Sequence, residues 1–182
     1  MTKSLRAGLP YLVASLALLL VGSMAQTALA VDPPKKGEKA TEFTAQTMAG
    51  KKVTFPGDFK GKLVILDFWA TWCGPCMREV PGLVKAYEAF HDKGVEVLGV
   101  TLDQPNSADK VKSVTADKKM TWAQIYEGNE HIAEIYGIDS IPHAFLIDGD
   151  TGKVIAEGEA LRGENLANTL KAAVKAKAAE KK

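Results

Sequence analysis

Seven consecutive residues, LVILDFW at positions 63–69, are apolar but for one acid, and the stretch ATWCGPC follows them directly. An uninterrupted apolar run of this length, bounded by turn residues, predicts a central strand buried on both faces. Beyond Cys76 the pattern changes. Val80, Leu83, Val84, Tyr87 and Phe90 recur every three or four residues, so a helix follows, with Gly94 placed to end it. The only two cysteines of the chain, Cys73 and Cys76, therefore fall between a buried strand and a helix N-terminus.

The rest of the chain keeps alternating. Residues 53–55 suggest a short strand, followed by a turn through Pro56, Gly57 and Gly61. VEVLGVTL at 95–102 predicts a second buried strand, and a polar helix follows over about 107–119. TWAQIYEG reads as a short extended piece, and residues 130–136 as a short helix stopped by Gly137. AFLID at 144–148, the turn DGDTG and the returning KVIAEG make a hairpin. A closing helix runs from about Glu164, with Leu166, Leu170 and Val174 along one face. Strands interleaved with helices predict an α/β layered fold around a central mixed sheet.

Both ends are set apart. Lys3 and Arg6 precede an apolar run over about 11–21, and Ala28-Leu29-Ala30 supplies a small-residue cleavage pattern. This is the layout of a secretory signal peptide, with cleavage expected after Ala30 and export to an extracytoplasmic space such as a periplasm. The alternative is a retained anchor, although the apolar core is shorter than the ~18 to 20 residues a spanning helix needs. No cysteine lies near that cleavage site, which removes the lipoprotein route. Residues 31–40, VDPPKKGEKA, read as a flexible leader with little to pack, residues 41–178 as a single domain and residues 179–182 as a Lys-rich tail, while the whole run KAAVKAKAAEKK at 171–182 reads as a solvated helix end or frayed tail. With 23 Lys+Arg against 22 Asp+Glu, the balance argues against a nucleic-acid surface.

Three chemistries suit a Cys-x-x-Cys pair: a staple, a metal site or a redox couple. A bridge across two residues closes a very short loop and adds little stability, because the gain grows with loop length. A structural zinc site needs four ligands, and His91, His131 and His143 are scattered far downstream, so no metal and no other cofactor is expected. Electron exchange fits better. A helix N-terminus favours a thiolate, so Cys73 should attack and Cys76, one turn on, should resolve. Pro75 falls at the first helical turn, where its missing N–H costs nothing.

Resolution needs a base to deprotonate Cys76. Asp67, flanked by apolar residues, is expected to be buried with a raised pKa. Glu79 lies three residues beyond Cys76, on the same helix face. Either charge would oppose the helix terminus by raising the cysteine pKa values. Pro142 stands just before a strand, where proline marks an edge, a bulge or a special peptide bond. A cis Ile141–Pro142 bond would let this turn approach the cysteines, while a trans bond at a strand start is the commoner arrangement.

DFWATWCGPC and the later YGIDSIPHAFLID closely resemble the thioredoxin superfamily. The exported leader, the segment KGEKATEFTAQTMAGKKVTF and Glu79 resemble its TlpA/ResA-like branch, and the N-terminal segment is also similar to the peroxiredoxin-like redoxin (AhpC/TSA) group. The resemblance spans essentially all of residues 31–182. It implies a thioredoxin fold with helices on both faces of the sheet and an N-terminal β extension, thiol–disulfide exchange, and a cis peptide at Pro142 facing the dithiol. Asp67 and Glu79 match acids of the two groups, and Trp72, Gly74, Pro75 and Ile141 flank the site. His143 departs from the small or hydroxyl residue usual after this proline.

Gly-Pro between the cysteines resembles reducing thioredoxins, so the expected partners are client proteins carrying disulfides or dithiols, apocytochromes among them. A membrane electron donor would keep the pair reduced. The alternatives are a disulfide donor or isomerase, a peroxidase, for which the Pro-x-x-x-Thr-x-x-Cys pattern is missing, and a Cu(I) carrier, in which His143 would be a third ligand.

Overall fold

The structure, a computed structural model, describes residues 31–180. The expected signal peptide, and the last two residues of the chain, lie outside the described residues. Eleven elements follow in order: β1 (Phe43–Gln46), β2 (Lys52–Phe55), β3 (Leu63–Trp69), α1 (Gly74–Phe90), β4 (Val95–Thr101), α2 (Ala108–Asp117), β5 (Ala123–Ile125), α3 (Asn129–Ile135), β6 (His143–Asp148), β7 (Val154–Glu157) and α4 (Gly163–Glu180).

The main sheet has the order β5-β4-β3-β6-β7. β3 pairs in parallel with β4 and antiparallel with β6, so the sheet is mixed, as expected. All seven residues of β3 are buried, which is why the run carries no alternation. Its odd positions, Leu63, Ile65 and Trp69, pack with Val80, Leu83 and Ala86 of α1 and Leu166, Leu170 and Ala173 of α4. Its even positions, Val64, Leu66 and Phe68, pack with Ile132 and Ala133 of α3 and with Phe43, Val53 and Phe55 of the antiparallel β1–β2 hairpin. Helices thus cover both faces, and the β extension completes one of them. Full burial of a side chain such as Phe55 stabilises by about 1.5 to 3 kcal/mol, enough to hold a two-stranded ribbon that would not survive alone.

Two expectations at the ends change. Residues 31–40, read as a flexible leader, are tied to the β6–β7 hairpin. The Gly37 and Ala40 N–H groups donate to the Val154 and Gly152 carbonyls, and the Val154 N–H donates to Glu38. Pro34 and Ala40 are buried. Main-chain bonding does this, and a composition rich in Lys and Pro conceals it. Gly137 (φ +59) contributes as well, since a Cβ there would overlap the Val31 carbonyl oxygen. At the other end, Lys177 is buried and bonds Asp148 and Asp150. The lysine run is therefore only partly a solvated helix end.

Candidate active site

β3, the central strand, ends at Trp69, and α1 starts five residues later. Cys73 is the N-cap of α1, and its sulfur accepts from the Cys76 N–H at 3.1 Å. Gly74 opens the helix and Pro75 sits in its first turn, as the spacing predicted. The sulfurs of Cys73 and Cys76 are joined in a disulfide. Both cysteines are buried, whereas Trp72 beside them is 60% exposed. The Cys76 N–H of the first helical turn points at the Cys73 sulfur, and the helix N-terminus favours its thiolate once the disulfide is opened.

The turn before α1 is held from behind. The Thr71 N–H and hydroxyl both donate to the Asp103 carboxylate, the former at 2.8 Å. The Thr101 hydroxyl adds a third bond at 2.5 Å, and Asn129 donates to the Thr101 and Asp103 carbonyls. Asp103 is buried. Three donors leave its carboxylate satisfied.

Asp67 faces the α1–α4 side of the sheet, between Gly99 of β4 and Ala144 of β6. Burial pushes its pKa up to about 7; Arg162 pulls it down and Glu79 pushes it up. Asp67, Cys76, Glu79, Pro142 and Arg162 line one cavity of about 30 Å³, room for a water molecule. Glu79 accepts from the Gly163 N–H at 3.1 Å. The structure therefore brings both acids to the Cys76 side of the dithiol.

The Ile141–Pro142 bond is cis. The Ile141 carbonyl oxygen lies 3.7 Å from the Cys73 sulfur, so this turn faces the dithiol. His143 also lines the cavity beside Asp67. Its ring packs 4.7 Å from that of Phe145, a residue of the α3 side, across the sheet from Asp67. Its Nε2 is buried with no hydrogen-bond partner, and burial holds its pKa below the ordinary value.

Three neighbours of the site were missed in the sequence: Asp103, Gln124 and Arg162. Gln124 accepts from the Trp69 indole at 2.9 Å, and Gly99 makes room for it, since a Cβ there would overlap the Gln124 carboxamide. An acid just past a buried strand and near two threonines could have flagged Asp103. Nothing local flags Gln124 or Arg162.

The AhpC/TSA family model matches residues 36–156. The chain belongs to the AhpC/TSA family. It is 41% identical over 128 residues to the thiol-disulfide oxidoreductase ResA of Bacillus thuringiensis subsp. konkukian, covering 70% of each chain. Identity to ResA of Bacillus subtilis is 30% over 120 residues, covering 66% of this chain and 65% of that one. Among solved structures, the thioredoxin domain of a thiol-disulfide oxidoreductase from Bacteroides vulgatus superposes with a TM-score of 0.68 at 35% identity, covering 77% of this chain and 98% of that one. A thiol:disulfide interchange protein DsbE from Chlorobium tepidum gives 0.66 at 31%, covering 78% and 99%. Within the AhpC/TSA family the chain is thus a TlpA/ResA-like member of the thioredoxin superfamily and a thiol-disulfide oxidoreductase. Both cysteines of the 182-residue sequence lie in the CGPC turn.

Proposed function

We propose that the chain acts after export as a disulfide reductase of envelope proteins, with apocytochromes awaiting haem attachment among its clients. The observation that carries this reading is the pairing of a helix-capping Cys73 with Asp67 beside Cys76, a carboxyl whose pKa of about 7 lets it take a proton at neutral pH. The Gly-Pro spacer and the likeness to ResA and DsbE proteins point the same way.

In the reduced protein the Cys73 thiolate attacks one sulfur of a client disulfide. That S–S bond breaks, the departing client sulfur takes up a proton, and a mixed disulfide remains. Cys76 then gives its proton to the Asp67 carboxylate and attacks the Cys73 sulfur, breaking the mixed disulfide. The second client sulfur takes up a proton as it departs, so the client leaves with two thiols, and two electrons have passed from the Cys73–Cys76 pair to it. Exposed Trp72, beside Cys73, offers the client an apolar contact. In an oxidising compartment the resulting disulfide must be reduced again by a membrane dithiol donor. Among the described residues no helix is long and apolar enough to cross a membrane.

The test is the equilibrium reduction potential of the chain against a dithiothreitol or glutathione buffer. A value near the thioredoxin end, about −270 mV, is expected; a value near about −120 mV would make the protein a disulfide donor instead.

A further inference from the structure

The cavity below Cys76 has one wall that neither cysteine motif nor strand pattern supplies. Arg162 follows the short 3-10 turn Gly158–Leu161, and Gly163 (φ +50) opens α4 directly after it. The Arg162 guanidinium donates through Nη2 to the Pro142 carbonyl and pairs through Nη1 with Glu159 at 2.6 Å. The neighbouring Gly163 N–H holds Glu79. Two consecutive residues therefore bind both the proline turn that faces Cys73 and the acid that stands near Cys76.

We propose that Arg162 is a positioning residue for the resolving step: it governs how readily Asp67 exchanges the Cys76 proton, and it fixes the Pro142 turn against the dithiol. This rests on the reading of Asp67 as the proton acceptor. The groups facing Asp67 are few. α1 contributes Glu79 and Cys76, the segment before α4 contributes Arg162, and the flanking strands contribute Gly99, Ala144 and His143, whose pKa burial holds below the ordinary value. Burial thus favours the neutral form of His143, and Arg162 is the cation whose charge acts on Asp67. It opposes both burial and Glu79, the two influences that keep a proton on Asp67. Without it, Asp67 would remain protonated to higher pH and would accept from Cys76 less readily near neutrality. Its bond to Glu159 does not account for its placement, because that i,i+3 pair has a largely exposed carboxylate and such pairs contribute little.

A chromogenic aromatic disulfide separates the two steps, since attack by Cys73 releases one coloured thiolate and resolution by Cys76 releases the second. The full chain, pre-reduced, would be followed by stopped flow from pH 5 to 9 as parent, Arg162→Met, Arg162→Lys, Asp67→Asn and the double variant Asp67→Asn/Arg162→Met. In Arg162→Met the midpoint of the second release should rise by about 0.5 to 1 in pH, slowing it roughly three- to tenfold below that midpoint. Arg162→Lys should keep most of the parent profile. In the Asp67→Asn background the Met substitution should move no midpoint. A shift of equal size in that background, or no shift in the parent, overturns the role of Arg162 while leaving Asp67 in place. If Asp67→Asn alone keeps the parent profile, the proton-acceptor reading fails first and the Arg162 proposal falls with it.

Discussion

Asp67 shares its side of the sheet with Ile65, Trp69 and Val80, and such surroundings favour the neutral carboxyl. Its pKa rises from the ordinary 3.8 to about 7 in the fold, so the native state holds a proton that the unfolded chain has already released. Stability should therefore fall as pH rises from about 4 to 7 and level off above that, by about 1.4 kcal/mol for each pH unit between the two pKa values. Asn carries no such cost. Asp67→Asn should be the more stable protein at pH 8, with the difference fading toward pH 4, as denaturant titrations of the oxidised chain at pH 4, 6 and 8 would reveal. Parallel curves for the two proteins would mean that Asp67 is not held protonated. A residue that lowers stability at working pH and stands beside Cys76 is what a site built for proton transfer requires. It was also legible in the sequence, since an acid amid LVILDFW has no ordinary structural reason to be there.

Legibility at the scale of elements depended on how local each signal was. β3, α1 and the β6–β7 hairpin could be read because run length, a three-to-four spacing and a DGDTG turn are all written within a few residues. The supports of the dithiol turn were not readable, because Thr71 meets Asp103 across 32 positions and Trp69 meets Gln124 across 55. In isolation each of those partners is an ordinary polar residue. Arg162, bonded to the Pro142 turn and beside Glu79, belongs to the same class. Gly99 shows how tightly such a support is fitted. Gly99→Ala should drive the Gln124 carboxamide out and strip the Trp69 indole of its acceptor, costing about 1 to 3 kcal/mol. Near-ultraviolet circular dichroism would register the altered tryptophan setting. Adding Gln124→Ala should recover part of the loss by removing the overlap, and no recovery would show that the glycine matters for some other reason.

Over the whole molecule, the end of the sheet remote from the dithiol is clamped by residues 37–40 and by α4. Residues 37–40 bond the β6–β7 hairpin from one side, and Lys177 of α4 reaches Asp148 at 2.8 Å and Asp150 at 2.7 Å from the other. The Gly61 N–H also donates to Asp150 at 2.7 Å, which draws the entry to β3 into the same knot. Burial opposes ionisation of Asp148, but the Lys177 bond and the Asp150 and Thr151 N–H groups outweigh it and hold its pKa below the usual value. Burial likewise opposes the Lys177 charge, and the two aspartates outweigh it, raising its pKa. The clamp should be fully effective between the ordinary pKa values of the pair, about pH 4 to 10.5. It should weaken as acid protonates Asp148 through its depressed pKa, and as alkali removes the Lys177 proton through its raised one. Lys177→Met leaves Asp148 a buried carboxylate beside a second acid and should cost about 2 to 4 kcal/mol at pH 7. Replacing Asp148 by Asn in the same protein should return much of that loss, because the charge left behind is the larger part of the damage. The disulfide exchange rate of Lys177→Met, measured well below its unfolding midpoint, should match the parent. An equal fall in exchange and stability would instead mean that the far end of the sheet controls the geometry of the dithiol.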